Sequence, residues 1–135
     1  MNSALQATAK GKMKVSRFNP LFLAILYMLS LLFLYSIPLQ KVEERRAFFA
    51  LEKRITNILH IPAFGILFFL WFKAFKRLQI SWRNCYLLAF TVSILYGVFL
   101  EIYQLLIPGR FSSFRDILFN LSGTAIAALI ITWKR

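Results

Sequence analysis

Between Tyr86 and Ile107 the chain carries one charged side chain, Glu101, in an otherwise apolar run. Three further apolar runs cover Pro20 to Ile37, Ile58 to Phe75 and Phe114 to Trp133. About 20 apolar residues, rising about 1.5 Å each as a helix, cross a hydrocarbon core of about 30 Å. Lipid offers no hydrogen bonds, so a spanning segment must satisfy its backbone internally, and uninterrupted runs of this length do so as helices. The expected fold is all-α, an integral membrane bundle of four transmembrane helices at about 20–37, 58–75, 86–107 and 114–133. Composition agrees: 59% of the 135 residues are hydrophobic and 15 are Phe, more apolar surface than a soluble domain of this length carries.

Residues 1–17 hold Lys10, Lys12, Lys14 and Arg17 and no acid, which reads as a basic cytoplasmic tail drawn to anionic lipid. Residues 18–135 form the expected four-helix membrane domain. No small-residue cleavage site follows the first run, so it reads as a retained signal anchor. The net charge is +12, but the basic residues fall in the gaps between apolar runs, where topology signals sit. No basic face is interleaved with base-stacking aromatics, which argues against nucleic acid. Cys85 is the only cysteine, so there is no intrachain disulfide, no CxxC motif and no Cys-rich metal site. No metal or cofactor is expected.

The distribution of Lys and Arg sets the orientation. With the amino terminus inside, the inner segments hold Lys10, Lys12, Lys14, Arg17, Lys73, Lys76, Arg77, Arg83, Lys134 and Arg135. The outer segments hold Lys41, Arg45, Arg46, Lys53, Arg54, Arg110 and Arg115, fewer than the inner set. The bias puts both termini in the cytoplasm, with Trp71, Trp82 and Trp133 as an inner aromatic belt. The charged stretch Gln40 to Asn57 has Phe48, Leu51 and Ile55 at helical spacing, which suits either an interfacial amphipathic helix or a solvated loop.

Polar residues interrupt the third and fourth runs at regular intervals. Gly97, Glu101, Gln104 and Pro108 are spaced by four, three and four and share one helix face. Asp116, Asn120, Gly123 and Ala127 repeat that spacing on the fourth run. The small residues suggest close approach of the third and fourth helices, joined as antiparallel neighbours by the Pro108-Gly109 turn. His60, at the start of the second run, falls at the same membrane level. His60, Glu101, Gln104, Arg110, Arg115, Asp116 and Asn120 are therefore expected to converge in one layer as a polar pocket open to the outer leaflet. Glu101 would lie about 10 Å below the turn.

Each member also has a plainer reading. Ser113 and Asp116 form an S-x-x-D capping box. Arg110 and Arg115 can be interfacial anchors, Asn120 interhelical glue, and His60 a hydrogen-bonded structural residue. Glu101 is the hardest to explain away, because a carboxylate at membrane depth costs about 2.5–3.5 kcal/mol even on insertion scales.

The series His60-Ile61-Pro62-Ala63-Phe64, then Ser93 to Gly97 with Tyr96, Glu101 and Gln104, then Pro108-Gly109-Arg110, Asp116, Asn120 and Gly123, resembles the VanZ-like family of small bacterial membrane proteins. The likeness covers about residues 55–130. It departs where the family places an Asp-Lys pair before the histidine; here those positions are Thr56 and Asn57. The resemblance implies a multi-pass protein of the bacterial plasma membrane and a cell-envelope role. It also implies a link to glycopeptide resistance, the phenotype from which the family takes its name.

Two functions fit these residues. In one, Tyr96, Glu101, Gln104, Arg110, Arg115 and Asn120 bind the head of an amphiphilic or lipid-linked molecule, such as an envelope precursor. The arginines would then pair with phosphate or carboxylate. The same protein could serve as an accessory subunit beside a membrane protein partner or as a homo-oligomer. In the other, an intramembrane enzyme uses His60 or Glu101 as general base, Asp116 to orient it and Arg110 to stabilise developing charge. A small transporter subunit is a third possibility.

Overall fold

A computed structural model of the chain describes residues 19–37, 46–110 and 112–134, and of 46–57 the backbone alone. The basic tail 1–17 and the stretch 40–45 lie outside the described residues. The described elements are four helices and no strand: α1 (Pro20–Ser36), α2 (Arg46–Arg77), α3 (Trp82–Gln104) and α4 (Phe114–Trp133).

Local chemistry sets the ends. Pro20 opens α1, and the Asn19 side chain accepts from the Leu21 N–H at 3.1 Å. Ser81, four residues after the second helix ends, caps α3 by accepting from the Asn84 N–H at 3.4 Å. Ser113 begins α4, but its hydroxyl accepts from the N–H of Arg115 at 3.2 Å. Asp116 instead bonds through its N–H to the Ser113 carbonyl at 2.9 Å and is buried. The Ser113 hydroxyl therefore caps the N–H one residue before that of Asp116.

Two boundaries differ from the sequence expectation. The apolar run that continues to Ile107 leaves the helix at Gln104, and the N–H groups of Leu105, Leu106 and Ile107 fold back in tight turns that bring the chain to Pro108-Gly109. The charged stretch from Arg46 to Asn57 is neither a separate interfacial helix nor a loop: its backbone runs unbroken into the second span. Hydrophobicity marks where lipid could begin, whereas a helix continues while its backbone bonds do. Ile58–Arg77, Trp82–Gln104 and Phe114–Trp133 are long and apolar enough to cross a membrane; Pro20–Ser36 is apolar but shorter.

Side-chain contacts fix the packing. Tyr35 meets His60 and Trp71 meets Met28, so α1 and α2 run antiparallel. His60 meets Asn120 and Ile61 meets Gly123, so α2 and α4 run parallel. Ser112 returns to Glu101, so α3 opposes α4. One apolar cluster joins Leu31, Tyr35, Phe64, Leu67 and Leu100, and another joins Phe68, Ala89 and Ala128 within a ring of aromatics that includes Phe72, Tyr86 and Phe90.

The closest approach is not the one expected from the spacing of small residues. A Cβ at Gly123 would lie 2.0 Å from the Ile61 carbonyl oxygen, so backbone meets backbone between α2 and α4. Gly97 on α3 faces the Phe64 ring and the Asn120 side chain, at 3.0 and 3.3 Å from a Cβ. Close contact through Gly123 thus belongs to the second and fourth helices.

Candidate functional site

The C-terminal half of α3 and the first turns of α4 carry Glu101, Gln104, Asp116 and Asn120, and all four are buried. Tyr35 from α1 and His60 from α2 close the same layer, also buried. Glu101 is 1% exposed and Asn120 3%, so lipid and water are both excluded from them.

His60 is held on both sides. Its Nδ1 lies 2.8 Å from Asn120 Oδ1, which can only accept, so Nδ1 carries the proton. The Tyr35 hydroxyl, 3.2 Å from Nε2, then donates to that nitrogen; it also lies 2.9 Å from Nδ1. The ring meets Tyr35 edge-on, with centroids 5.4 Å apart. Turning the Asn120 amide this way directs its Nδ2 toward α3, at Gly97 and the Glu101 carboxylate.

Glu101 receives the Ser112 hydroxyl at 3.0 Å on Oε2. The Ser113 N–H and the Asn120 amide face the same carboxylate, and Asp116 lies close enough to act on it, on His60 and on Tyr35 through charge. Two polar atoms remain buried without a partner at bonding geometry, Glu101 Oε1 and Asn120 Nδ2. The Asn120 amide points at the Glu101 carboxylate without reaching bonding geometry, so this acceptor and donor each fall short of a full bond in one buried layer.

Arg110 is bound elsewhere. Its Nε donates to the Ile37 carbonyl at 3.0 Å and its Nη2 to the Leu34 carbonyl at 2.9 Å, closing the last turn of α1. Tyr96 donates to the Met28 carbonyl and so also ties α3 to α1. Arg115 is exposed on the first turn of α4. Of the residues expected to form one layer, His60, Glu101, Gln104, Asp116 and Asn120 share the buried core. Arg110, Tyr96 and Arg115 stand around it.

Tyr35 and Ser112 complete the layer and were not among the expected residues. Tyr35 sits in an apolar run with no polar spacing to single it out, and Ser112 is one of two adjacent serines with no periodic mark. Among the described residues no group of three His, Cys, Asp or Glu side chains could hold a metal ion. Thr56 and Asn57 fall where side chains are not described.

An apolar groove of about 300 Å³ lies on the outside of the α2–α4 crossing, lined by Gly65, Ile66, Phe69, Ile126, Ala127 and Ile130 among others. The family model described as VanZ/LLP1 matches residues 5–135. No curated protein and no solved structure matches the chain.

Proposed function

The chain belongs to the VanZ/LLP1 family, and we propose that it is a membrane-embedded binding protein of the bacterial cell envelope. All four helices lie in the bilayer. The Glu101 layer takes the polar head of an amphiphilic or lipid-linked molecule, which reaches it beneath the α3–α4 loop.

The observation that carries this reading is the pair of unpartnered atoms, Glu101 Oε1 and Asn120 Nδ2, at the centre of a buried cluster. An acceptor and a donor side by side suit a hydroxyl or an amide, which offers the complement of each. A phosphate suits that point poorly, because Glu101 and Asp116 already set two carboxyl groups there. Any anionic portion of the ligand belongs farther out, toward the exposed Arg115. A hydroxyl- or amide-rich head on a lipid carrier is the chemistry of an envelope precursor, which is how a link to glycopeptide resistance would arise.

The acid–base alternative is weakened by the engagement of both His60 nitrogens with Tyr35 and Asn120, which leaves Glu101 as the remaining general base.

A photoreactive amino acid at Ser112, activated in intact cells, tests the binding reading. The expected adduct carries a hydroxyl- or amide-bearing head, and Glu101→Gln reduces its yield by about tenfold, the loss of one charge-assisted bond. Adducts that mirror bulk phospholipid and ignore Glu101→Gln would refute it.

A further inference from the structure

The groove beside the α2–α4 crossing has its own charge pattern at the end away from Glu101. Lys73 lies one turn beyond Phe69, a groove-lining residue, and its Nζ sits 4.3 Å over that ring. Lys76 follows on the same face of α2 by helical spacing, and both lysines are exposed. Lys134, the C-cap of α4, follows the groove residue Ile130 by four and is also exposed.

The two helices run parallel with Ile61 against Gly123 and Gly65 against Ala127. Continuing that register in steps of four brings Lys73 to the level of position 135, next to Lys134. Three ammonium groups therefore rim one end of an apolar trough. The acidic residues of the chain are Glu43, Glu44, Glu52, Glu101 and Asp116, so none lies between Lys53 and Leu100 or beyond Asp116. No aspartate or glutamate side chain from those stretches is available to neutralise this rim.

We infer that this face is a binding site for an anionic glycerophospholipid, with its phosphate held by Lys73, Lys76 and Lys134 and one acyl chain in the α2–α4 groove. Long lysine stems lie along apolar surface while their heads reach the interface, and the contact of Lys73 with Phe69 is that posture. The occupant is thin. The small residues that would admit another helix backbone, Gly65, Gly123 and Ala127, are already spent on the α2–α4 contact. The groove is flanked by exposed Ile66, Phe69, Ile126 and Ile130, which hold a helix of about 10–12 Å diameter away from its floor. A single hydrocarbon chain fits between them.

The inference rests on the membrane placement proposed above and is independent of the ligand reading of Glu101. Its test is lipid retention by the purified full chain in detergent, read by native mass spectrometry with phosphatidylglycerol and phosphatidylcholine as probes. Phosphatidylglycerol should be retained in preference. Each of Lys73→Gln, Lys76→Gln and Lys134→Gln should lower that preference about fivefold. Ile130→Trp fills the groove, leaves every lysine in place, and should also release phosphatidylglycerol. Glu101→Gln should leave retention unchanged.

The inference is overturned by equal retention of the two lipids, or by Ile130→Trp that binds phosphatidylglycerol like the wild type, which would mean diffuse attraction to a basic surface. A dimer of the wild type that Ile130→Trp separates would overturn it too, since a second copy would then fill the groove. The lysine and Ile130 variants alter exposed side chains, and an unchanged elution volume verifies the fold of every variant.

Discussion

At the residue scale, burial and spacing play different parts. The interval of four, three and four told correctly that Glu101, Gln104, Asp116 and Asn120 lie on inward faces, because helix geometry alone decides which residues share a side. It could not tell which helix those sides meet. Gly123 reads as a spacer for α3, yet its hydrogen points at the backbone of Ile61 on α2. Parallel contact between α2 and α4 comes from two helices that are not neighbours in sequence, and no periodicity records it. Replacement of Gly123 by Ala should therefore destabilise the protein by about 3 kcal/mol or more, the upper range for overpacking, since the obstacle is a carbonyl group. Gly97→Ala meets the movable Phe64 ring and the Asn120 side chain and should cost less. Thermal unfolding of both variants in the same detergent checks the order; equal midpoints would contradict it.

At the element scale, α1 depends on polar ties from its neighbours. Tyr27 donates to the Ala63 carbonyl at 3.1 Å, Tyr96 to that of Met28, and Ser36 meets Tyr103 at 3.1 Å. Its last turn relies on Arg110, which reaches from the α3–α4 loop to two carbonyls that the helix cannot bond itself. The first apolar run holds only Tyr27 and Ser36 of these side chains, and none of the ties was legible there because their partners lie elsewhere in the chain or on the backbone. Arg110→Gln should fray α1 from its C-terminal end and weaken the protein by about 1.5–3 kcal/mol per lost charged hydrogen bond. Hydrogen exchange would report this as faster exchange confined to the last turns of α1. Unaltered protection there would exclude the capping role, and altered protection around Asn120 alone would assign Arg110 to the polar layer.

At the scale of the whole molecule, the four helices alternate in direction, so the two ends of the described chain, before α1 and after α4, come out on one side. We propose that this side is the cytoplasmic one, on the excess of Lys and Arg that the sequence places there. Single cysteines at Lys12 and Ser112, in a Cys85→Ser background, should label from opposite faces of the membrane. Labelling of both from one face would refute the arrangement. The expectation of an all-α bundle was sound because lipid permits so few alternatives. The length of α2 was less accessible: it has 32 residues and starts well before the expected run at Ile58, whereas α1, with 17, ends within one residue of the expected position.

That inequality has a consequence for the surrounding bilayer. A helix of 17 residues measures about 25 Å, short of a hydrocarbon core of about 30 Å, while 32 residues reach about 48 Å. In the membrane placement proposed above, such a mismatch would be relieved by drawing the two leaflets together beside the short helix. Tyr35 and the carbonyls held by Arg110 are at the end of α1, next to Glu101's layer. The dimple would form on that flank, shortening the path out of water that the head group of the proposed ligand would take to the buried carboxylate.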